Sequence, residues 1–321
     1  MAFCLLKCIP PQLGPLFATV ETTTMSNKLT GVLAALITPF TDDGKSVDAG
    51  RFKAHIDDLF DAGIHGLVPG GSTGEFTVLS LEERKQVNEL AVKFAAGRGP
   101  VIAGVGSTKT EEAVDLAVHA AQIGVDAVMV VPPYYDPVNY EQLKELLSEV
   151  HQASKLPIVY YNIPSISGLT LSPEEIAGLS AVGVSSYKDT SGNAPDFTEL
   201  VFGHGDKIAA MNGWDTLTFY GMAAGNEAII WGAANVIPEI AVELWNAIAV
   251  QNDIRRGREI WMKIWPICKF LEAHNYSAAI KTGMELRGKK TGGVRKPFTL
   301  LDPKYHAEYR QLLLNAQIQL P

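Results

Sequence analysis

Short apolar runs alternate with amphipathic stretches along the chain from Gly31 onward. The runs at residues 101–105 and 127–131 are apolar at every position, which is typical of parallel strands that are covered on both faces. The pattern predicts eight strands, at residues 32–38, 65–70, 100–106, 127–133, 157–162, 184–188, 207–212 and 228–233.

The stretches between these strands carry helix-start signals. Ser80 and Glu83 have the spacing of a capping box, and Ser172 precedes Pro173 as an N-cap residue precedes a proline in the first helical turn. Eight strand–helix units within about 220 residues are typical of a (β/α)8 TIM barrel, an α/β fold. A doubly wound parallel sheet is the alternative, although it seldom needs eight regular units.

The last part of the chain is predicted to be helical, at residues 239–250, 254–273, 276–287 and 303–315. That is more helix than the last barrel unit requires. We therefore predict a barrel domain at residues 30–250 and a C-terminal helical domain at residues 251–321, packed on the barrel as an appendage.

Residues 1–29 differ in composition from the rest of the chain. A signal peptide is one interpretation, but Lys7 is the one basic residue before position 27, and three prolines interrupt the apolar stretch. We favour a disordered N-terminal extension.

The overall composition narrows the classes of partner. A net charge of −8 and a pI near 5.4 argue against a nucleic acid or an anionic membrane surface as the main partner. No run reaches the roughly 18 apolar residues of a membrane helix. Cys4, Cys8 and Cys268 form neither a disulfide framework nor a zinc motif, so we expect a reducing, cytoplasmic location.

Lys188 is the first candidate for chemistry, because it ends the predicted sixth strand, and barrel active sites lie at the C-terminal strand ends. An amine that lacks water is harder to protonate, and a neutral amine is a nucleophile towards carbonyl groups. The alternative is a lysine whose side chain extends out of the strand end into a salt bridge.

Two other strand ends carry polar groups. The sequence Gly-Gly-Ser-Thr-Gly-Glu at residues 70–75 offers backbone N–H groups and the hydroxyl groups of Ser72 and Thr73, which suit a carboxylate or phosphate. Tyr161 ends the fifth strand and could carry protons. An ordinary glycine-rich turn and a packing tyrosine are the alternatives. Together these residues suit attack by Lys188 on a 2-oxo acid whose carboxylate is held by Ser72 and Thr73.

Three segments, at residues 71–75, 161–164 and 188–192, resemble the pyruvate-dependent class I aldolases, the family of dihydrodipicolinate synthase and N-acetylneuraminate lyase. The resemblance implies that Lys188 forms a Schiff base, that Tyr161 transfers protons, and that Ser72 contacts the substrate carboxylate. It also implies a homotetramer in which Tyr135 reaches a neighbouring subunit's site, with no metal or organic cofactor. The substrate-binding residues implied are Gly71, Ser72, Thr73, Ile166, Thr190, Gly213, Asp215 and Gly232.

The choice of substrate within this family depends on departures from its patterns. Ile166 stands where dihydrodipicolinate synthases have an arginine that binds the second substrate's carboxylate. Sialic acid lyases have an acidic pair where this chain has Asp215 and Thr216, and a serine near Gly232; we expect Trp231 to narrow the pocket. These departures favour cleavage or synthesis of a 2-keto-3-deoxy sugar acid or a hydroxy-2-oxo acid. Dehydration or deamination through the same Schiff base, or a true dihydrodipicolinate synthase, are the alternatives.

Two hypotheses from other classes remain. One is a binding protein that kept the barrel and lost the chemistry, which the presence of both Lys188 and Tyr161 disfavours. The other is a metal-dependent barrel enzyme, which the scattered histidines disfavour because they do not converge on the strand ends.

Overall fold

The computed structural model describes residues 29–321, and its strands form one parallel sheet that curls into a barrel. The strands are β1 (Gly31–Ala35), β2 (Gly66–Val68), β3 (Ile102–Gly104), β4 (Ala127–Val130), β5 (Ile158–Asn162), β6 (Val184–Asp189), β7 (Ala209–Asn212) and β8 (Ala228–Trp231). All eight lie within or next to the predicted runs.

The order of the strands around the sheet is β2-β1-β8-β7-β6-β5-β4-β3. A parallel bridge between Leu67 and Val101 joins the two remaining edges, β2 and β3, and so closes the barrel. The predicted (β/α)8 barrel is therefore confirmed.

Helices follow the strands and cover the barrel. They are α1 (Ala49–Asp61), α2 (Leu81–Ala95), α3 (Thr110–Ile123), α4 (Tyr140–Ser154), α5 (Pro164–Ser167), α6 (Pro173–Gly178), α7 (Ala194–Gly203), α8 (Thr218–Ala224), α9 (Pro238–Trp245), α10 (Ile254–Glu272), α11 (Tyr276–Leu286) and α12 (His306–Asn315). The predicted capping box is present at the start of α2, where Ser80 Oγ accepts from the N–H of Glu83 at 3.2 Å and Glu83 Oε2 accepts from the N–H of Ser80 at 3.0 Å.

Side chains along each strand point alternately towards the helices and into the barrel, so the core has two layers. In β5, Tyr160 packs against the surrounding helices, whereas Tyr161 belongs to the cluster inside the barrel. In β6, Tyr187 packs outward, so the neighbouring Lys188 faces inward. This period of two directs Tyr161 and Lys188 to the interior of the barrel mouth.

The C-terminal helices contact the barrel mouth directly. At the start of α11, Ser277 Oγ donates a hydrogen bond to the carbonyl oxygen of Ser72 at 3.1 Å. Further along α11, Lys281 forms an ion pair with Glu75 at 2.5 Å. These contacts tie α11 to the loop after β2. The division into domains at residues 30–250 and 251–321 stays a prediction.

The sequence-based interpretation of residues 1–28 lies outside the described part of the chain. From residue 29 to residue 321, no helix combines the length and the apolar character that crossing a membrane requires.

Candidate active site

A cavity of about 510 Å³ opens at the C-terminal ends of the strands. It is lined by most of the site residues that the sequence predicted, namely Ser72, Thr73, Tyr161, Ile166, Lys188, Thr190, Gly213, Asp215 and Gly232. The loops and strand ends of the barrel thus bring together segments that are far apart in the sequence.

Lys188 and Tyr161 are direct neighbours across the strands β5 and β6. Both are buried, and the Nζ atom of Lys188 lies 4.1 Å from the centroid of the Tyr161 ring. Within residues 29–321, no carboxylate forms an ion pair with Lys188. The amine therefore faces the cavity without a carboxylate partner.

Gly213 leaves the space that the lysine side chain occupies. A Cβ atom at this position would lie 2.5 Å from Lys188 Cε and 2.6 Å from Thr190 Oγ1, closer than real Cβ contacts. Any side chain here would displace Lys188 or Thr190. The predicted importance of Gly213 thus has a steric explanation.

The loop after β2 presents hydrogen-bond donors to the cavity. Its turn uses the N–H groups of Gly74 and Glu75, which donate to the carbonyl oxygens of Gly71 and Ser72 at 3.0 Å each. The N–H groups of Ser72 and Thr73 have no acceptor among residues 29–321. These two N–H groups and the two hydroxyl groups can receive a carboxylate.

A buried ion pair supports this loop from behind. Glu75 has a left-handed backbone conformation with φ 58° and accepts from Lys281 Nζ at 2.5 Å and from the N–H of Arg295 at 3.1 Å. Lys281 also donates to the carbonyl oxygen of Gly293 at 2.7 Å. Burial lowers the pKa of Lys281 to about 8, while the charge and hydrogen bond of Glu75 raise it.

Asp215 forms a second buried site in the wall of the cavity. Both of its carboxylate oxygens accept from the hydroxyl group of Tyr276, at 2.7 and 2.9 Å. Burial raises the pKa of Asp215 to about 7. The hydrogen bond from Tyr276 lowers this pKa, the charge of Glu272 raises it, and Trp231 and Lys188 lower it.

Two other residues shape the surroundings of Asp215. A Cβ atom at Gly232 would lie 2.5 Å from the Tyr276 ring, so the glycine makes room for that ring. Glu272, at the end of α10, accepts from the N–H of Thr216 at 2.8 Å and from its hydroxyl group at 3.0 Å. Burial also raises the pKa of Glu272.

Sequence reasoning missed several residues that line the cavity, above all Tyr276 and Glu272, together with Phe76, Thr77, Val131, Ile163, Ser165, Trp214 and Ile230. Asn275 is a visible N-cap signal for the helix that begins at Tyr276, and its side chain accepts from the N–H of Ala278. That signal locates the start of the helix along the chain but not over the barrel mouth.

Three expected residues lie outside the main cavity. Gly71 borders a small space of about 10 Å³ beneath it. Tyr135 is 85% exposed, and its neighbour Tyr134 lines the cavity instead; the role of Tyr135 between subunits stays a prediction. The expectation that Trp231 narrows the pocket is wrong, because alternation along β8 turns Trp231 outward and Ile230 inward.

The comparisons with known proteins agree on one family. The model of the dihydrodipicolinate synthetase family matches residues 28–316. The 4-hydroxy-tetrahydrodipicolinate synthase of Methanopyrus kandleri is 36% identical over 278 residues, which cover 85% of this chain and 91% of the relative. The enzyme of the same name from Methanocaldococcus jannaschii is 35% identical over 287 residues, covering 89% and 96%.

Solved structures show the same likeness. The dihydrodipicolinate synthase of Aquifex aeolicus superposes with a TM-score of 0.85 at 34% identity, covering 91% of this chain and 99% of that chain. The dihydrodipicolinate synthase of Acinetobacter baumannii, solved with pyruvate, superposes with a TM-score of 0.86 at 29% identity, covering 91% and 100%.

These findings correct the sequence-based choice of substrate. The preference for a sugar acid or a hydroxy-2-oxo acid is wrong, because the relatives over most of the chain are named 4-hydroxy-tetrahydrodipicolinate synthases. That preference relied on Ile166, which is 56% exposed at the rim of the cavity, and on Trp231, which faces outward. It also relied on Thr216 and Gly232, which stand where sialic acid lyases have a second acid and a serine. One exposed rim residue governs a single contact, whereas the similarity extends over the barrel, the cavity and the C-terminal helices. The chain belongs to the dihydrodipicolinate synthetase family of Schiff-base lyases.

Proposed function

We propose that this protein condenses pyruvate with aspartate semialdehyde to form 4-hydroxy-tetrahydrodipicolinate, through a Schiff base on Lys188. The observation that carries the proposal is the pairing of Lys188 with Tyr161 at adjacent strand ends, inside a cavity that Ser72 and Thr73 also line. The name shared by the relatives supports the choice of the second substrate.

Pyruvate binding is the first step. The carboxylate of pyruvate accepts hydrogen bonds from the N–H and hydroxyl groups of Ser72 and Thr73, which line the same cavity as Lys188. The amine of Lys188 attacks the C2 carbonyl carbon, water leaves, and the nitrogen of the lysine becomes a protonated imine.

Carbon–carbon bond formation is the second step. The protonated imine withdraws electrons from C3, so a proton leaves C3 and an enamine forms. The enamine carbon attacks the aldehyde carbon of aspartate semialdehyde, and the new alkoxide takes up a proton. We assign the transfer of these protons to Tyr161, because its ring is in contact with Lys188.

Ring closure is the third step. The amino group of the second substrate gives up a proton and attacks C2, which forms the new carbon–nitrogen bond of the ring. The bond between C2 and the nitrogen of Lys188 then breaks, and that nitrogen takes up a proton as it leaves. One pyruvate and one aspartate semialdehyde thus give one cyclic product and one water, and Lys188 returns as a free amine. The balance requires no oxidant and no reductant.

The carboxylate of the second substrate can be bound without an arginine at position 166. Thr77 and Ser165 line the cavity, and their hydroxyl groups are hydrogen-bond donors. Neutral donors bind a carboxylate less strongly than a guanidinium group does. We therefore expect a higher KM for the aldehyde than in a relative with arginine at this rim.

The remaining features of the enzyme are proposals as well. We propose a cytoplasmic homotetramer that needs no metal and no organic cofactor, because the lysine imine itself withdraws the electrons. The exposed ring of Tyr135 supports a subunit contact next to the cavity. Sedimentation velocity would measure the assembly, and activity that falls on treatment with a chelator would contradict the absence of a metal.

The test is to incubate the protein with pyruvate and aspartate semialdehyde and to identify the product by its mass. We expect the cyclic product from the wild type and from Lys207→Ala, an exposed lysine that serves as the matched control, and none from Lys188→Ala. A wild-type protein that forms the pyruvate imine and yet makes no product from aspartate semialdehyde would contradict the proposed function.

A further inference from the structure

The charged side chains of the cavity are unequally distributed. Among the described residues that line it, Lys188 is the basic one, and Asp215 and Glu272 are the acidic ones. Lys188 is committed to pyruvate once the imine forms. The side of the cavity where Asp215 and Glu272 lie therefore favours a cationic group on the second substrate.

The position of Asp215 is fixed by contacts from separate parts of the chain. Asp215 follows β7 in the barrel, whereas Tyr276, whose hydroxyl group donates to both carboxylate oxygens, begins α11. An ionised carboxylate has about four acceptor sites. The two contacts with Tyr276 orient the group and leave acceptor sites for a ligand in the cavity.

We propose that Asp215, oriented by Tyr276, binds the α-ammonium group of the aldehyde substrate. This inference rests on the proposed function and names the group by which that site would recognise its second substrate. An ammonium group has three donors and no acceptor, which matches a carboxylate. Asp215 and Lys188 line the same cavity, so the contact also holds the amino group in the cavity that contains the nitrogen it must displace.

Glu272 contributes charge rather than the contact itself. Thr216 makes three contacts with the Glu272 carboxylate, one from its N–H at 2.8 Å and two from its hydroxyl group at 3.2 and 3.0 Å, whereas Asp215 receives two contacts from the single hydroxyl group of Tyr276. It raises the pKa of Asp215 by repulsion, and a cation at Asp215 would relieve that repulsion. The pair therefore gains more from an ammonium group than a single carboxylate would.

The inference is tested with two aldehydes that differ only in the amino group, aspartate semialdehyde and succinic semialdehyde, each supplied with pyruvate. Succinic semialdehyde has no amino group to close the ring, so water hydrolyses its imine and frees Lys188 together with an open-chain product. The quantity measured is the ratio of their kcat/KM values, with the products identified by mass. We expect Asp215→Asn to lower this ratio by about tenfold to a hundredfold, because a charge-assisted hydrogen bond is lost from one aldehyde alone.

Two further variants keep the test decisive. Asp206→Asn makes the same chemical change at an exposed aspartate and should leave the ratio unchanged. Tyr276→Phe keeps the ring and removes the hydroxyl group that orients Asp215, so the ratio should fall, though less than in Asp215→Asn. If Asp215→Asn does not fold, Tyr276→Phe decides the question.

The outcomes separate the two proposals. A wild type that forms no product with either aldehyde would overturn the proposed function and this inference with it. A wild type that condenses both aldehydes, with a ratio that neither Asp215→Asn nor Tyr276→Phe lowers, would overturn the ammonium site and leave the condensation standing.

Discussion

Two lysines are buried at the mouth of this barrel, and they have opposite surroundings. Lys281 is fully buried, forms an ion pair with Glu75 at 2.5 Å and lies over the ring of Phe40 at 4.2 Å. Lys188 is nearly as buried and lies over the ring of Tyr161 at 4.1 Å, but no carboxylate within residues 29–321 is paired with it.

The comparison teaches that burial alone does not make a lysine reactive. The ion pair holds the ammonium group of Lys281 in place, and Lys281 in turn fixes Glu75 behind the loop that carries Ser72 and Thr73. Lys188 lacks such a partner and faces the cavity, so its amine can bond to a carbonyl carbon. In the proposed function, Lys281 thus supports the loop after β2, and Lys188 carries the chemistry.

The largest effect should come from breaking the ion pair. Lys281→Met leaves the carboxylate of Glu75 buried without its partner, which typically costs about 3–5 kcal/mol of stability. Denaturant titration measures the change in the free energy of unfolding. The double variant Lys281→Met with Glu75→Gln should recover part of the loss, and an unchanged midpoint in the single variant would remove Lys281 from its structural role.

The next effect concerns proton transfer beside Lys188. Tyr161→Phe keeps the ring over the lysine and removes the hydroxyl group, so turnover should fall by about 10²-fold or more, the usual contribution of a positioned acid–base group. Steady-state kinetics measure the loss, and Tyr160→Phe, an outward tyrosine of the same strand, is the matched control. A wild-type rate in folded Tyr161→Phe would assign Tyr161 to packing.

A carboxylate placed beside Lys188 would give this lysine surroundings like those of Lys281. Thr190 lies beside Lys188, because a Cβ atom at Gly213 would contact both side chains. Thr190→Asp should hold Lys188 as an ammonium group and slow imine formation with pyruvate by about tenfold or more. Thr190→Asn has nearly the same shape without the charge and is the control. Equal rates in the two variants would show that the charge environment of Lys188 does not limit the reaction.

The smallest effect is a pH dependence at Asp215. This carboxyl group accepts from Tyr276 of α11, and it interacts electrostatically with Cys268 and Glu272 of α10, Lys188 of β6 and Tyr309 of α12. Burial raises its pKa to about 7, so the carboxylate that binds an ammonium group gains population as the pH rises. Between pH 6.5 and 7.5, kcat/KM for aspartate semialdehyde should rise about threefold relative to succinic semialdehyde. The same rise in Asp215→Asn would contradict this assignment.

The sequence predicted the barrel because buried parallel strands are continuous apolar runs. Once the barrel is predicted, the active site is expected at the C-terminal ends of its strands. Lys188 and Tyr161 were indicated in this way, since each lies next to the last residue of a strand at the mouth of the barrel. Their neighbours Tyr187 and Tyr160 face outward, as the period of two along a strand requires.

The sequence could not predict the contribution of the C-terminal helices. Tyr276 and Glu272 follow Asp215 by many residues and reach it only because α10 and α11 pack over the barrel mouth. Helical periodicity locates such helices along the chain but carries no information on which strand ends they cover. The substrate preference failed for a related reason, because the identity of a rim residue such as Ile166 does not show which other donors line the cavity.

The most direct test of the central claim is to trap the imine with borohydride in the presence of pyruvate and to locate the added mass by peptide mapping. The account predicts one reduced pyruvyl adduct on Lys188, none on Lys281, and loss of the adduct in Lys188→Ala. An adduct on Lys281 or another lysine, or undiminished labelling of Lys188→Ala, would contradict the assignment of the reactive amine.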